Sequence, residues 1–311
     1  MELSLTVLNQ VLVMFVLIII GFIGFKTKLV DDTGNRQMTN VLLYIVAPLV
    51  IIDAYQMEYN ETLASNLLIA FGLGIASHII AMVISYLFIK KKGNEEKSPI
   101  ERFAIIYSNC GFMALPLVSA LFGAEGVFYA SAYMTIFNLL SWTHGYILMS
   151  GKADKKTIKS AFLSPVILSV GVGLLIFFLK IPIPAVLKTS VSYIAAVNTP
   201  LAMIVTGVSL AQTNIFSAFK QLRCYYIMFL SCLLVPFIAM CIYLFLPLPT
   251  NIVLVNLVST ACPCAVTTIL FSTKFGLDSS YASKILTLSN ITSIITIPLV
   301  VFVYQFLSSL V

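Results

Sequence analysis

Charge is what this sequence has least of. Only 10% of its 311 residues are Asp, Glu, Lys or Arg, against 60% apolar, and mean hydropathy is +1.03. A soluble domain of that length needs a solvated exterior, so this composition excludes one. Long polar stretches are also lacking; the largest, KKKGNEEKSPIER (90–102), reads as a solvated loop. Without a phosphate-binding loop, nucleotide-driven pumping within the chain is excluded. Paired intramembrane aspartates and Ser/His sets with a positioned acid are missing as well, so no enzyme is expected. The N-terminus lacks a basic region and a small-residue cleavage site, so it reads as a first span rather than a removed signal. Cofactors are expected to be none beyond a coupling H+ or Na+, and nucleic acid is not an expected partner despite the net charge of +6.

What is present is a succession of uncharged apolar stretches. A helical span takes roughly 20 such residues. The sequence predicts an all-α polytopic membrane protein with ten spans, at 5–25, 37–57, 64–89, 102–122, 126–149, 159–179, 189–212, 219–246, 250–274 and 279–307. Of the eighteen basic residues, only Lys180 and Lys188 fall at an even-numbered loop. The positive-inside rule then puts odd loops in the cytoplasm and both termini outside, in a multi-pass cell-membrane protein. The cysteines (Cys110, Cys224, Cys232, Cys241, Cys262, Cys264) lie in predicted spans and read as small packing residues, not a disulfide framework.

The second half echoes the first at a shift of about 152 residues. Phe122-Gly123 matches Phe275-Gly276, and Tyr129-Ala130-Ser131 matches Tyr281-Ala282-Ser283. Thr135 meets Thr287, Asn138 meets Asn290, and Pro48-Leu49 falls on Pro200-Leu201. This predicts two repeats, 1–150 and 151–311, of five spans each. An odd number of spans inverts the second copy, an architecture that places substrate near the midplane where repeats meet.

Spans 4 and 9 are repeat partners, and both are interrupted. Span 4 carries Asn109-Cys110-Gly111 with Pro116 beyond; span 9 carries Cys262-Pro263-Cys264. Proline removes a backbone donor and glycine lowers helical preference. Broken helices expose N–H and C=O groups at membrane depth, where only protein or a water-filled cavity can satisfy them. Their positive ends attract anions. Asn138 and Asn290 either line the site or bond between helices, and Asn198 leans structural. Asp53 and His78 are intramembrane ionisable groups and thus candidates for ion coupling, against interfacial and packing roles. His144, beside Trp142 and Tyr146, reads as an interfacial-belt residue. Cys262 and Cys264 could also hold a soft cation through two thiolates, although the ATPase and metal-binding domains of copper pumps are missing.

The segments SNCGFMALPL (108–117), ACPCAV (261–266) and FGLDSSYASKILTLSNITSIITIPL (275–299) resemble the auxin efflux carrier family, bacterial permeases related to plant PIN-type auxin carriers. That resemblance implies an elevator-type transporter in which spans 4 and 9 cross at their breaks. Spans 1, 2, 6 and 7 would form a scaffold, commonly dimeric, while spans 3–5 and 8–10 would carry substrate. It also implies that Asn109 binds a substrate carboxylate. Absence of the long cytoplasmic loop of plant PINs argues against auxin itself. The function expected is therefore secondary transport of small organic anions, mono- or dicarboxylates, with substrate held by Asn109, Cys110, Gly111, Pro116, Cys262, Pro263, Cys264, Asn138 and Asn290. A substrate-sensing receptor built on a transporter fold is the alternative, and it would bind ligand without flux.

Overall fold

The computed structural model describes residues 2–90, 96–152, 163–213 and 215–310. The basic residues Lys91, Lys92, Lys155, Lys156 and Lys159, and the start of predicted span 6, lie outside them. The described residues are helical, with one isolated backbone bridge in place of any sheet. Seven helices are long and apolar enough to cross a membrane, and two shorter ones are apolar.

In chain order the helices of eight or more residues are α1 (Glu2–Lys26), α2 (Asp32–Ala54), α3 (Glu61–Phe88), α4 (Ser98–Ile106), α5 (Cys110–Ser150), α6 (Pro165–Phe178), α7 (Ala185–Ala211), α8 (Leu222–Tyr243), α9 (Thr250–Ala261), α10 (Thr267–Lys274) and α11 (Ser279–Ser308). Local sequence signals set several of their starts. Asp31, Asn60 and Ser164 each accept a backbone N–H in the first turn of α2, α3 and α6, satisfying donors that a helix start leaves open.

The 41 residues of α5 would reach about 60 Å if straight, twice the hydrocarbon thickness of about 30 Å. They do not run straight. Gly123 adopts φ +60°, ψ −149°, a conformation closed to residues with a Cβ. The chain folds back there, bringing Met134 within van der Waals range of Gly111 on the other arm. α5 is a helical hairpin, and its turn falls between predicted spans 4 and 5.

Two helix groups organise the packing. α1 packs along α7, and α2 packs against α6 and α7. The seam between α1 and α7 is closed by glycine: a Cβ on Gly21 would sit on the Ile204 carbonyl, and one on Gly207 on the Ile18 carbonyl. Lipid gives helices no hydrophobic drive to associate, so close backbone approach of this kind supplies the contact energy. In the second group, α3, α5, α8, α9 and α11 pack around the interrupted segments. Tyr129 and Phe128 of α5 are fully buried here, as are Phe103 of α4 and Tyr107 just after it.

Candidate functional site

The site begins with two helices that stop inside the protein. α9 ends at Ala261 because Pro263 has no N–H to continue it and forces Cys262 before it into extended geometry, φ −60°, ψ 153°. α4 ends at Ile106 without a proline; Tyr107 is extended, with ψ 102°. The two interruptions meet as an antiparallel bridge between Ser108 and Cys264. Asn109 N–H donates to the Pro263 carbonyl at 2.7 Å, and Ala265 N–H donates to the Tyr107 carbonyl at 2.9 Å. Each break therefore satisfies the other's backbone, as membrane depth requires.

Side chains complete the joint. Ser108 Oγ donates to the Ser259 carbonyl at 2.7 Å and contacts Tyr133 Oη at 3.2 Å. Cys264 N–H donates to Ser289 Oγ at 3.2 Å. Beyond the bridge, Asn109 caps a π-turn, Cys110–Ala114, that opens α5, and its carbonyl accepts from Met113 and Ala114. α10 restarts at Thr267. Two helix N-termini, at Cys110 and Thr267, thus open next to the bridge; several of their first-turn N–H groups donate to the Ser108, Asn109, Ala265 and Val266 carbonyls.

Several polar atoms here are buried without a partner among the described residues. Asn109 is 5% exposed, and its Nδ2 makes no hydrogen bond; Thr267 Oγ1 makes none either. A buried donor left unpaired costs about 1–3 kcal/mol. Both stand at the helix starts that face the joint. The bridge segments, 107–110 and 262–266, hold no ionisable side chain other than tyrosine and cysteine. A group entering the joint would therefore meet backbone dipoles and amide donors rather than charged side chains of these segments.

The predicted residues sort around this joint. Asn109, Cys110, Cys262, Pro263 and Cys264 are buried in it or directly beside it, and Gly111 lies one residue further along α5. Pro116 lies beyond the break, as its place in the sequence implies. It sits in a continuous helical run after the π-turn, because Tyr107–Asn109 have already interrupted the chain. Asn138 donates to the Met134 carbonyl of its own helix. Asn290 does the same toward Leu286, and leaves its fully buried Oδ1 unpaired. Cys262 and Cys264 are free thiols, with Cys264 Sγ accepting from Ser289.

Asp53 lies elsewhere. Its Oδ1 accepts from Ser192 Oγ at 2.6 Å, in a cleft lined by α2, α7 and Ser119, Ala124 and Val127 of the hairpin turn. His78 is buried against the joint, its ring 4.8 Å from that of Tyr133 and 6.2 Å from that of Tyr107. Its Nδ1 lies 2.7 Å from the Gly74 carbonyl, which only an Nδ1–H can satisfy, while Nε2 has no partner. His144 contacts the hydroxyls of Tyr107 and Tyr86 at 2.8 and 3.1 Å, so it is tied to the break as well as to the helix end.

Sequence reasoning missed a second polar cluster behind the joint. Ser77 donates to Asn256 Oδ1 at 2.6 Å and contacts Tyr243 Oη at 2.8 Å, and Asn256 Nδ2 is unpaired. Asn256, one turn before Ser259 on α9, carried a signal: it is an uncharged amide at the centre of an apolar span.

Comparison with known proteins agrees with this architecture. The profile of the membrane transport protein family matches residues 6–160 and 152–301. An uncharacterized transporter of Methanothermobacter thermautotrophicus is 25% identical over 212 residues, 67% of each chain. Another, from Methanocaldococcus jannaschii, is 23% identical over 216 residues, covering 66% of this chain and 69% of that one. With its apolar helices and its interrupted pair, the chain is a multi-pass membrane protein that belongs to the membrane transport protein family, of the auxin efflux carrier type.

Proposed function

We propose that this protein is a secondary transporter of small organic anions, mono- or dicarboxylates, which bind where α4–α5 and α9–α10 cross. One observation carries the reading: Asn109 Nδ2, a buried donor with no partner, stands at a helix N-terminus that opens at the joint. Unpaired donors and positive helix ends suit a carboxylate. In this reading the helices make ten spans in two inverted repeats, 1–150 and 151–311, with α4 and the first arm of α5 as span 4, and α9 with α10 as span 9. α1, α2, α6 and α7 form the scaffold, through which two copies pair. The remaining helices carry the site across the membrane by an elevator-like movement, with both termini on the outer face of the plasma membrane.

Asp53 is the candidate for ion coupling at the boundary of the two groups, and His78 the candidate inside the moving one. The test is flux in proteoliposomes, with substrate chosen by thermal-shift screening against organic acids, with and without sodium and across pH. A ligand that binds only the folded state raises the melting temperature by mass action. Loss of a hydrogen bond to a charged group, about 1.5–3 kcal/mol, predicts that Asn109→Ala lowers carboxylate flux roughly tenfold to a hundredfold. Unchanged flux in that variant refutes the site, and saturable binding with no flux in the wild type favours a receptor.

A further inference from the structure

At the ends of α4, α8 and α11 furthest from the outer loops lies a fully buried carboxylate, Glu101. Arg223 grips it with two hydrogen bonds, Nε to Oε1 at 3.0 Å and Nη2 to Oε2 at 2.8 Å. Tyr281 Oη donates to the same Oε1 at 2.8 Å. This is the one ion pair among the described residues. Glu101 thereby fixes two cations at once. Arg223 is held directly, with 41% of its side chain still exposed. Lys97 is held through Tyr281, its ammonium 5.0 Å from the ring centroid.

These groups line a cleft of about 430 Å³ together with Lys90, Gln221 and Phe88. Among the described residues its charges are three cations against one carboxylate, and that carboxylate already accepts from Arg223 and Tyr281. Arg223 keeps donors to spare, since a guanidinium has five and Glu101 takes two. Lys90 and Lys97 have no carboxylate within ion-pair distance among the described residues. The repeat counterpart on the other face is built differently. Tyr129, which matches Tyr281, donates to Glu125 and accepts from Asn66, with no lysine or arginine among the described residues paired to that carboxylate. A tyrosine–carboxylate bond is common to both; the arginine fork on the carboxylate is found, among the described residues, only here.

We infer that the Lys90–Lys97–Arg223 cleft binds a phosphate group, supplied either by a soluble phosphate or by the headgroup of an anionic lipid. Preorganised cations at the membrane boundary suit that ligand, and the site is separate from the crossover. Occupancy would brace α4, α8 and α11 together at the end opposite the joint.

The test uses the full chain in detergent, followed by thermal unfolding. One arm titrates inorganic phosphate against chloride at equal ionic strength; the other compares short-chain phosphatidylglycerol with phosphatidylcholine of the same chain length. The expected result is a saturable rise in melting temperature in at least one arm, and which arm responds identifies the source. In Lys90→Ala/Lys97→Ala the half-saturating concentration should rise roughly tenfold, the loss expected for two partly exposed cationic contacts, with the ligand-free melting temperature unchanged. Asn109→Ala should respond as the wild type does, which separates this site from the proposed substrate site. No shift in either arm, or a shift that survives the double substitution or vanishes in Asn109→Ala, overturns the inference.

Discussion

The seam between α1 and α7 and the crossing of α4–α5 with α9–α10 are built from opposite materials. Along the seam, Gly21 and Gly207 let two backbones touch, and Ile18 and Ile204 supply the carbonyls they rest on. At the crossing, two helices are stopped short, and donors at Asn109 and Thr267 are left unpaired. Tight packing has no room for a ligand, and unpaired buried donors cost stability unless something binds them. In the proposed reading the first region is the fixed frame and the second binds substrate.

The seam is where a single substitution should do most damage. Gly207→Leu places a side chain on the Ile18 carbonyl and forces α1 and α7 apart. Overpacking in a close-packed interior costs about 1–3 kcal/mol, and here the shift extends along a whole helix pair. The expected outcome is loss of monodisperse protein in size-exclusion chromatography, with Gly207→Ala folded at a lowered melting temperature. A wild-type melting curve for Gly207→Leu would refute the seam's role.

At the crossing the expected effects fall on transport before stability. Pro263→Ala restores an N–H and lets α9 continue past Ala261, which removes the extended geometry that offers the Pro263 carbonyl to Asn109. Helix is the favoured backbone state in lipid, so this variant should remain folded by circular dichroism and lose flux. Retained flux would show that the proline is dispensable to the break.

The difference between the two breaks also explains what the sequence disclosed. The span-9 break is written locally in Cys262-Pro263-Cys264, and the hairpin turn in Gly123. The span-4 break is written more weakly, in Asn109-Cys110-Gly111: Tyr107, Ser108 and Asn109 carry no helix-stopping residue, and the other break supplies their partners. Glu101 read as part of a solvated loop, although it is fully buried by a fork from Arg223, far along the chain. The cluster of Ser77, Asn256 and Tyr243 likewise depends on pairing between distant helices.

That dependence sets the next prediction. Ser108→Ala leaves the Ser259 carbonyl without its donor and removes a neighbour of Tyr133. An unsatisfied buried acceptor costs about 1–3 kcal/mol, so a fall in melting temperature should accompany reduced flux. Restoring the hydroxyl with threonine should recover part of both, whereas a wild-type melting temperature in Ser108→Ala would show that the first break holds itself.

The smallest effect expected is at Cys264. Its thiol accepts only a long contact from Ser289, 3.5 Å, and the structural bond runs instead from its backbone N–H to Ser289 Oγ. Cys264→Ser keeps that N–H and nearly keeps the side-chain volume. It should therefore shift stability by less than about 1 kcal/mol and leave carboxylate flux near wild type. A soft-cation carrier depends on paired thiolates as ligands, so the same substitution would abolish its transport. Carboxylate flux that survives Cys264→Ser assigns the joint to anions through its backbone; flux lost with the thiol would hand the site to metal chemistry.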